Sequence, residues 1–179
     1  MPPEGGDRRL ADAEVTGEVV RAVLAGVEQF SPESREVGRA TLAEHGFEDP
    51  TDEWYPLERC LAVIEEIAVA VGDSGVRALG ESVPRAVADS ASAPDVPTAL
   101  SALDDAYRDH HRGDVGGYAF RQIGDADGRI ECLTPYPCAF DRGVVEGTAA
   151  AVADRYVSLR EVGLCPGDGV PRCTYELTW

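Results

Sequence analysis

The apolar positions of the first 110 residues follow the spacing of helices. They recur every three or four residues, so each segment has one apolar face. The first predicted helix carries on that face Val19, Val20, Val23, Leu24, Val27 and Phe30. Ser31 and Pro32 mark its end and the start of a second helix, which runs to about His45. A third helix is predicted over about 56–71, with one face formed by Leu57, Cys60, Leu61, Ile64, Ile67 and Ala68.

After Gly116 the pattern changes to the alternation that is typical of strands. Tyr118 and Phe120 alternate with neighbours that point to the opposite face. The segment GDADG then forms a turn, and Ile130 and Cys132 continue the alternation on its far side. This arrangement predicts a β-hairpin.

The remaining elements complete the predicted order. Two shorter helices fit 75–90 and 96–110, which flank a turn-forming stretch, SASAPD. After the hairpin, Asp141 is the predicted cap of one more helix, and strands follow over 156–164 and 172–179. Helices therefore come first and a ββαββ unit comes last. The order predicts an α+β fold, in which N-terminal helices pack on a C-terminal ββαββ unit with an antiparallel sheet.

A chain of 179 residues is long enough to bury one sizeable core. Residues 1–12 are polar and rich in Gly and Pro, and we expect them to be disordered. Residues 13–179 are expected to form a single domain, with a helical half over 13–112 and the ββαββ half over 116–179.

The chain is strongly acidic, with a net charge of −17 and a pI near 4.4. Every basic residue except histidine is arginine, and asparagine does not occur. Such a surface suits very high salt, where screening removes the repulsion between carboxylates, so we expect a halophilic protein. The dispersed arginines argue against nucleic acid and membranes as partners, since both need clustered basic residues. With no apolar leader and no apolar run long enough to cross a bilayer, the expected location is cytoplasmic.

Four of the five cysteines fall in the last third of the chain: Cys132, Cys138, Cys165 and Cys173. Cys165 and Cys173 stand at the two feet of the last hairpin, where thiols can approach within metal-ligand distance. None of the spacings is the tight Cys-x2-Cys of zinc ribbons. In a reducing cytoplasm, disulfides are the less favoured interpretation. A metal site and ordinary buried cysteines both stay open at this point.

The C-terminal third resembles a known family. A Cys before the helix FDRG, a Cys-x7-Cys hairpin that contains Gly-Asp, and a closing aromatic strand are similar to the 4-vinyl-reductase-like small-molecule-binding domains. The same superfamily includes the haem nitric-oxide-binding domains and the TRAPP-type Golgi-transport domains. Earlier segments, DEWYP, LG and YRDHHRG, resemble bacterial relatives in their order.

The resemblance implies a structural zinc held by three Cys and one Glu. Cys138, Cys165 and Cys173 match the three thiols, but the position of the Glu is Val162 in this chain. Glu161 is one residue out of register, and a β-bulge would restore it. Otherwise Cys132 supplies the fourth ligand, or the site is an empty relic.

Haem is not expected, although the haem-binding relatives carry an axial histidine on a helix. His110 and His111 lie at a polar helix end, where a histidine stabilises the helix dipole without a further role. The sequence has no Gly-x-Ser-x-Gly elbow, no phosphate-binding loop and no His-Glu-x-x-His. We therefore expect no enzymatic activity.

The resemblance favours a sensory domain whose apolar pocket takes a small hydrophobic or aromatic molecule and signals through a partner protein. Aromatic side chains supply the large apolar walls of such pockets, and the candidates are Trp54, Tyr55, Tyr118, Phe120, Tyr136 and Phe140. The alternative is a scaffold module similar to the TRAPP-type domains. For that function a homodimer through the helices 14–30 and 56–71 is expected. A third hypothesis is a reductase that uses a reactive thiol.

Overall fold

The structure is a computed structural model that describes residues 10–87, 92–154, 156–165 and 172–179. The six helices are α1 (Gly17–Val27), α2 (Pro32–Glu44), α3 (Leu57–Val87), α4 (Val96–Ser101), α5 (Leu103–Asp109) and α6 (Cys138–Ala150). The seven strands are β1 (Glu14–Thr16), β2 (Trp54–Pro56), β3 (His111–Arg112), β4 (Tyr118–Gln122), β5 (Asp127–Cys132), β6 (Ser158–Cys165) and β7 (Arg172–Thr178). Both counts refer to the described residues. The disorder expected for residues 1–9 lies outside them, and residues 10–12 form a turn.

The α+β fold is confirmed. The C-terminal half is a four-stranded antiparallel sheet in the order β4-β5-β7-β6, with α6 between β5 and β6 in the chain. Residues on one face of the sheet are buried because period-2 alternation turns them to the helices. They include Ile130, Cys132, Cys173, Tyr175 and Leu177.

A second, smaller sheet was not predicted. It is antiparallel, has the order β2-β1-β3, and pairs Val15 with both Tyr55 and His111. Its strands are two or three residues long and far apart in sequence, so no local periodicity reveals them. The sheet ties the starts of α1 and α3 to the end of α5.

The two helices predicted on either side of Gly72 are both present. They meet at a kink at that residue, where the backbone is not helical, and together they form the element α3. Gly72 has φ of 65°, a left-handed conformation that other residues adopt at a cost. The segment predicted as one helix over 96–110 divides into α4 and α5 around Ala102.

Helices α3 and α6 pack against each other through glycines. A Cβ added to Gly80 would lie 2.0 Å from the carbonyl oxygen of Phe140, and one added to Gly143 would lie 2.0 Å from that of Arg77. The absence of side chains at these positions lets the two backbones touch. The Arg77 guanidinium also forms an ion pair with Glu146 of α6. The contact fixes the second half of α3 relative to α6.

Helix α6 begins earlier than predicted. It starts at Cys138 with Pro137 as its N-cap residue, so Asp141 is not the cap. Asp141 lies within the first turn and is only 1% exposed. Among the described residues, no helix combines the length and apolar character that crossing a bilayer requires.

Candidate functional site: an apolar cavity between the two halves

A cavity of about 50 Å³ lies between the helices and the four-stranded sheet. It is partly open to solvent and is lined by α1, α3, α5 and α6 together with β3, β4 and the loop before α6. The atoms that face it are apolar, and its lining residues are Val19, Val83, Pro84, Val87, Leu103, Ala106, Tyr107, His110, His111, Tyr118, Tyr136, Phe140 and Val144. Val87, Ala106 and His110 are half-buried and form its rim.

Five rings form a continuous aromatic wall. Tyr107 and His111 stack with centroids 4.0 Å apart, and Tyr136 and Phe140 stack at 4.7 Å. Tyr118 meets Tyr107 edge-on at 5.3 Å, and Tyr136 meets His111 edge-on at 5.7 Å. The two edge-on pairs have a geometry that aromatic rings favour. The wall is therefore held together by its own contacts.

The polar atoms of this wall are paired with one another. The Tyr107 hydroxyl donates to the carbonyl oxygen of Val115 at 2.8 Å. His111 Nδ1 lies 2.8 Å from the Tyr107 carbonyl oxygen, which can only accept, so we assign the proton to Nδ1. His111 Nε2 then accepts a hydrogen bond of 2.8 Å from the Tyr136 hydroxyl.

A buried carboxylate lies behind the wall. The Tyr118 hydroxyl donates to Asp141 Oδ1 at 2.6 Å, and the Thr134 hydroxyl lies 2.9 and 2.7 Å from the two carboxylate oxygens. Thr134 Oγ1 accepts in turn from the backbone N–H of Tyr136 at 3.2 Å. Asp141 thereby connects β4, the loop before α6 and α6 itself.

Burial changes the protonation of these groups. It raises the pKa of Asp141 to about 7, although the hydrogen bonds from Tyr118 and Thr134 act in the opposite direction. It lowers the pKa of His111 to about 4, so the imidazole is neutral at neutral pH. It also raises the pKa of Tyr118 and of Tyr136 well above the ordinary value. The wall thus presents neutral rings, and the arrangement can enclose an apolar molecule.

The structure brings together three of the six predicted pocket residues. Tyr118, Tyr136 and Phe140 line the cavity. Tyr55 instead packs edge-on against Phe47, and Trp54 lies under the guanidinium of Arg112, 3.6 Å from the ring centroid. Phe120 packs against Trp179 on the sheet. These three aromatic residues, Trp54, Tyr55 and Phe120, do not line this cavity.

Sequence reasoning missed Tyr107, His111 and the role of Asp141. His111 follows the C-cap of α5, as expected for a residue at the helix end, but it is only 8% exposed, so its surroundings are not a polar surface. Leu103, Tyr107 and His111 are spaced by four residues, which is a helical signal that identifies one buried face. Polar neighbours in RDHHRGD concealed that signal.

Two cysteines join the first residue of α6 to strand β7. Cys138 and Cys173 form a disulfide with a Cα–Cα separation of 5.9 Å, so the expectation of reduced thiols does not hold for this pair. Cys132 is buried and is the register partner of Cys173. Cys60 is a second buried free thiol. Burial raises the pKa of both, to about 12 for Cys60, so neither is a strong nucleophile.

The structure describes the side chains of all predicted zinc ligands except Cys165. Among the described residues, no three His, Cys, Asp or Glu side chains come close enough to hold a metal ion. The side chain of Cys165 lies outside the described part of the chain. The register between β6 and β7 shifts at Val162, so the bulge that would restore Glu161 is present. Glu161 lies opposite Tyr175 but is exposed. Zinc at Cys138, Cys165 and Cys173, with Cys132 or Glu161, stays a prediction.

Comparison with known proteins identifies the fold. No protein-family model and no curated protein matches the sequence. Among solved structures, an oxygen-binding H-NOX domain related to soluble guanylate cyclases has a TM-score of 0.69 and 14% identity, covering 91% of this chain and 94% of that chain. An H-NOX variant from T. tengcongensis has a TM-score of 0.68 and 12% identity, covering 91% and 95%. A protein described for haem redox potential and porphyrin distortion has a TM-score of 0.67 and 13% identity, covering 92% and 99%.

The chain therefore has the fold of the H-NOX (haem nitric-oxide/oxygen binding) domains, one branch of the superfamily that the sequence resembles. The 4-vinyl-reductase-like family is not separately shown.

The described arrangement does not fit haem. The cavity of about 50 Å³ is small beside the roughly 300–1,000 Å³ of typical ligand pockets. An axial histidine needs a free ring nitrogen, and both nitrogens of His111 are engaged. His110 Nδ1 lies 2.9 Å from Thr16 Oγ1, and its Nε2 lies 3.3 Å from the Val87 carbonyl oxygen.

Proposed function

We propose that this chain is a non-catalytic sensory domain that binds a small hydrophobic molecule in the cavity between its two halves. The observation that carries the proposal is the aromatic wall, in which Tyr107, His111, Tyr118 and Tyr136 pair their polar atoms away from an apolar interior. An unfilled cavity beside this wall does not stabilise the fold, because closely packed interiors are more stable. The shared fold of the H-NOX domains supports the proposal.

The signal would pass through α6. Phe140 and Val144 of this helix line the cavity, and the same helix is joined to β7 by the disulfide and to α3 by the glycine contact. A ligand that displaces Phe140 moves α6 against both neighbours, since packed interfaces transmit shifts rather than absorb them. A partner protein that contacts α6 or the edge of the sheet would read the change.

Ligand binding is tested by filling the cavity. A library of small hydrophobic and aromatic compounds is screened in molar salt by the shift of the thermal unfolding midpoint. Val83 lines the cavity and Val69 is 90% exposed on the same helix, so Val83→Phe and Val69→Phe form a matched pair. We expect hits to be lost with Val83→Phe and kept with Val69→Phe. No hit with the unsubstituted protein would overturn the proposal.

Homodimerisation through the helical half is a separate proposal. The apolar positions of α1 and of the first half of α3 are buried within the chain, as for Val23, Val27, Ile64 and Ile67. This internal packing removes the argument that these helices have spare apolar surface. Light scattering in molar salt tests whether the chain forms a homodimer. A monomer at micromolar concentration would contradict both the homodimer and the scaffold alternative.

A further inference from the structure

Two arginines lie side by side on the outer face of the four-stranded sheet, opposite its buried face. Arg121 of β4 and Arg129 of β5 are direct partners in the antiparallel register. Their neighbours Phe120 and Ile130 pack in the core, so strand alternation turns both guanidinium groups outward. Arg121 is exposed and Arg129 is half-buried. We call these two residues the arginine pair.

Neither side chain of the arginine pair has a hydrogen-bond or ion-pair partner in the described part of the chain. Arg129 Nε is buried and lacks an acceptor. Glu176 of β7 lies opposite Arg129, but it forms its ion pair with Arg160 of β6, at 2.6 Å. Glu131 lies two residues along β5 on the same face, is exposed, and forms no ion pair among the described residues. The donors of the arginine pair are therefore open to another molecule.

Such a pair is unfavourable for the chain on its own. Like charges directly opposite each other destabilise a sheet, and a buried donor without an acceptor costs free energy. The chain has 33 acidic and 16 basic residues, so carboxylates are plentiful. Other arginines use them, since Arg39 pairs with Glu28 and Arg142 with Glu146. Carboxylates supplied by another molecule would remove both costs at the arginine pair.

The position of the pair favours a protein partner over a small molecule. It lies on an open sheet face, whereas small ligands bind in concave pockets. Ala119, two positions before Arg121 on the same face, is small and exposed, so an extended segment can approach the strands. The net charge of −17 works against nucleic acid and anionic membranes.

The chemistry of the pair favours carboxylates as its acceptors. A guanidinium group binds a carboxylate through two parallel hydrogen bonds, which adds geometric specificity to the charge attraction. Direct bonds of this kind are needed at high salt, where attraction over longer distances is screened. Arginine is also the basic residue that is enriched in protein interfaces.

From these observations we propose that the outer face of β4 and β5 docks an acidic segment of a partner protein, whose carboxylates pair with Arg121 and Arg129. The inference rests on the proposed function, which requires a partner, and it names the surface and the chemistry of that partner. Tyr118 lines the cavity from the opposite face of β4, three residues before Arg121. The docked segment would therefore contact the same strand as an occupant of the cavity.

The experiment measures the binding of synthetic peptides to the full chain by fluorescence anisotropy. The probe alternates glutamate and threonine, and its control has glutamine in place of each glutamate. Arg121→Gln and Arg129→Gln each remove one arginine of the pair, and Arg121→Lys keeps the charge without the planar fork. Arg85→Gln is the matched control, since Arg85 is exposed on α3, outside the sheet. The thermal unfolding midpoint shows whether each variant is folded.

We expect the glutamate peptide to bind and the glutamine peptide not to bind. Arg121→Gln and Arg129→Gln should each weaken binding about fivefold or more, and Arg121→Lys should weaken it less. Arg85→Gln should leave the affinity unchanged. In NMR spectra, the side-chain N–H signals of Arg121 and Arg129 should shift on binding, whereas that of Arg85 should not.

The inference is overturned if the glutamate peptide does not bind, or if it binds the Arg121 and Arg129 variants as tightly as the unsubstituted protein. Saturation of the arginine pair by inorganic phosphate without peptide binding would also overturn it. A dimer that dissociates with Arg121→Gln, while no peptide binds, would assign the face to a second copy and contradict the inference. The compound screen of the cavity tests the proposed function separately. Peptide binding without a hit in that screen would keep the docking surface and favour the scaffold alternative.

Discussion

The hydroxyl of Tyr118 donates a hydrogen bond of 2.6 Å to the buried carboxylate of Asp141. Tyr118 lies in the cavity wall, and Asp141 lies in the first turn of the helix that carries Phe140 and Val144. The bond thus joins strand β4 to helix α6 within the ββαββ half. The strength of this hydrogen bond depends on the protonation of Asp141. The pH dependence of the free energy of unfolding therefore measures that protonation.

Asp141 should make the folded state less stable as the pH rises. Its pKa is about 7 in the folded state and near 4 in the unfolded chain, so the folded state binds the extra proton between these values. The stabilisation is complete below the unfolded pKa and is lost as the pH rises through the folded pKa. We expect the free energy of unfolding, relative to Asp141→Asn, to fall by on the order of 4 kcal/mol from pH 4 to pH 8.

Urea unfolding in molar salt measures this difference. Asp49→Asn, at an exposed carboxylate, is the control and should give a flat difference from the unsubstituted protein. Parallel curves for the unsubstituted protein and Asp141→Asn would show that the carboxylate is ionised throughout.

His111 should have the opposite effect. Burial lowers its pKa from 6.5 to about 4, so the unfolded chain binds the extra proton between these values. The stabilisation is present above the unfolded pKa and is lost as the pH falls through the folded one. Relative to His111→Gln, we expect stability to rise by on the order of 3 kcal/mol from pH 4 to pH 7.

The control for His111 is His45→Gln. His45 lies at the surface, where its Nε2 is 2.9 Å from Glu66 Oε1, and its replacement should not reproduce the rise. Because Asp141 and His111 act in opposite directions over the same pH range, the unsubstituted protein should show less pH dependence than either variant. A histidine NMR titration of His111 near pH 6.5 would contradict the assignment.

The disulfide should stabilise the C-terminal half. It closes a loop with a sequence separation of 35, for which the chain-entropy relation gives about 4 kcal/mol. The double variant Cys138→Ala with Cys173→Ala should lose stability of this order in urea. Reductant should weaken the unsubstituted protein by a similar amount and leave the double variant unchanged.

Zinc analysis of protein purified without chelator or reductant tests the same cysteines. If the disulfide forms, denatured protein shows three free thiols, because two of the five cysteines are paired. One equivalent of zinc with five titratable thiols would instead support the predicted metal site and contradict the disulfide.

Gly143→Ala should separate α3 from α6. The added Cβ would lie 2.0 Å from the backbone oxygen of Arg77, and a backbone atom cannot move aside as a flexible side chain can. We expect a loss of roughly 1–3 kcal/mol or more in the urea unfolding free energy. Gly163→Ala is the control, since nothing lies within 4 Å of its added Cβ. Equal effects for the two variants would show that the helix contact is not tightly packed.

The sequence by itself determined the elements whose signal is local. Helical spacing predicted α1, α2 and both halves of α3, and strand alternation predicted the β4–β5 hairpin and the ββαββ order. These patterns arise because an element with one buried face must repeat its apolar residues with its own geometric period. The family resemblance and the preference of pockets for aromatic side chains gave six candidate wall residues, of which Tyr118, Tyr136 and Phe140 line the cavity.

Only the tertiary structure decided which residues meet. Strands β1, β2 and β3 have only two or three residues each, which is too short to show an alternating pattern. Their pairing joins segments up to about a hundred residues apart. Asp141 and His111 are polar in sequence, and a polar residue is expected at the surface unless its partners are known. Their burial is compensated by hydrogen bonds, and the partners Tyr118 of Asp141 and Tyr136 of His111 lie 23 and 25 residues away in sequence. The cavity lies where these segments leave space between them. No residue or local pattern encodes such a space, so the sequence alone could not predict it.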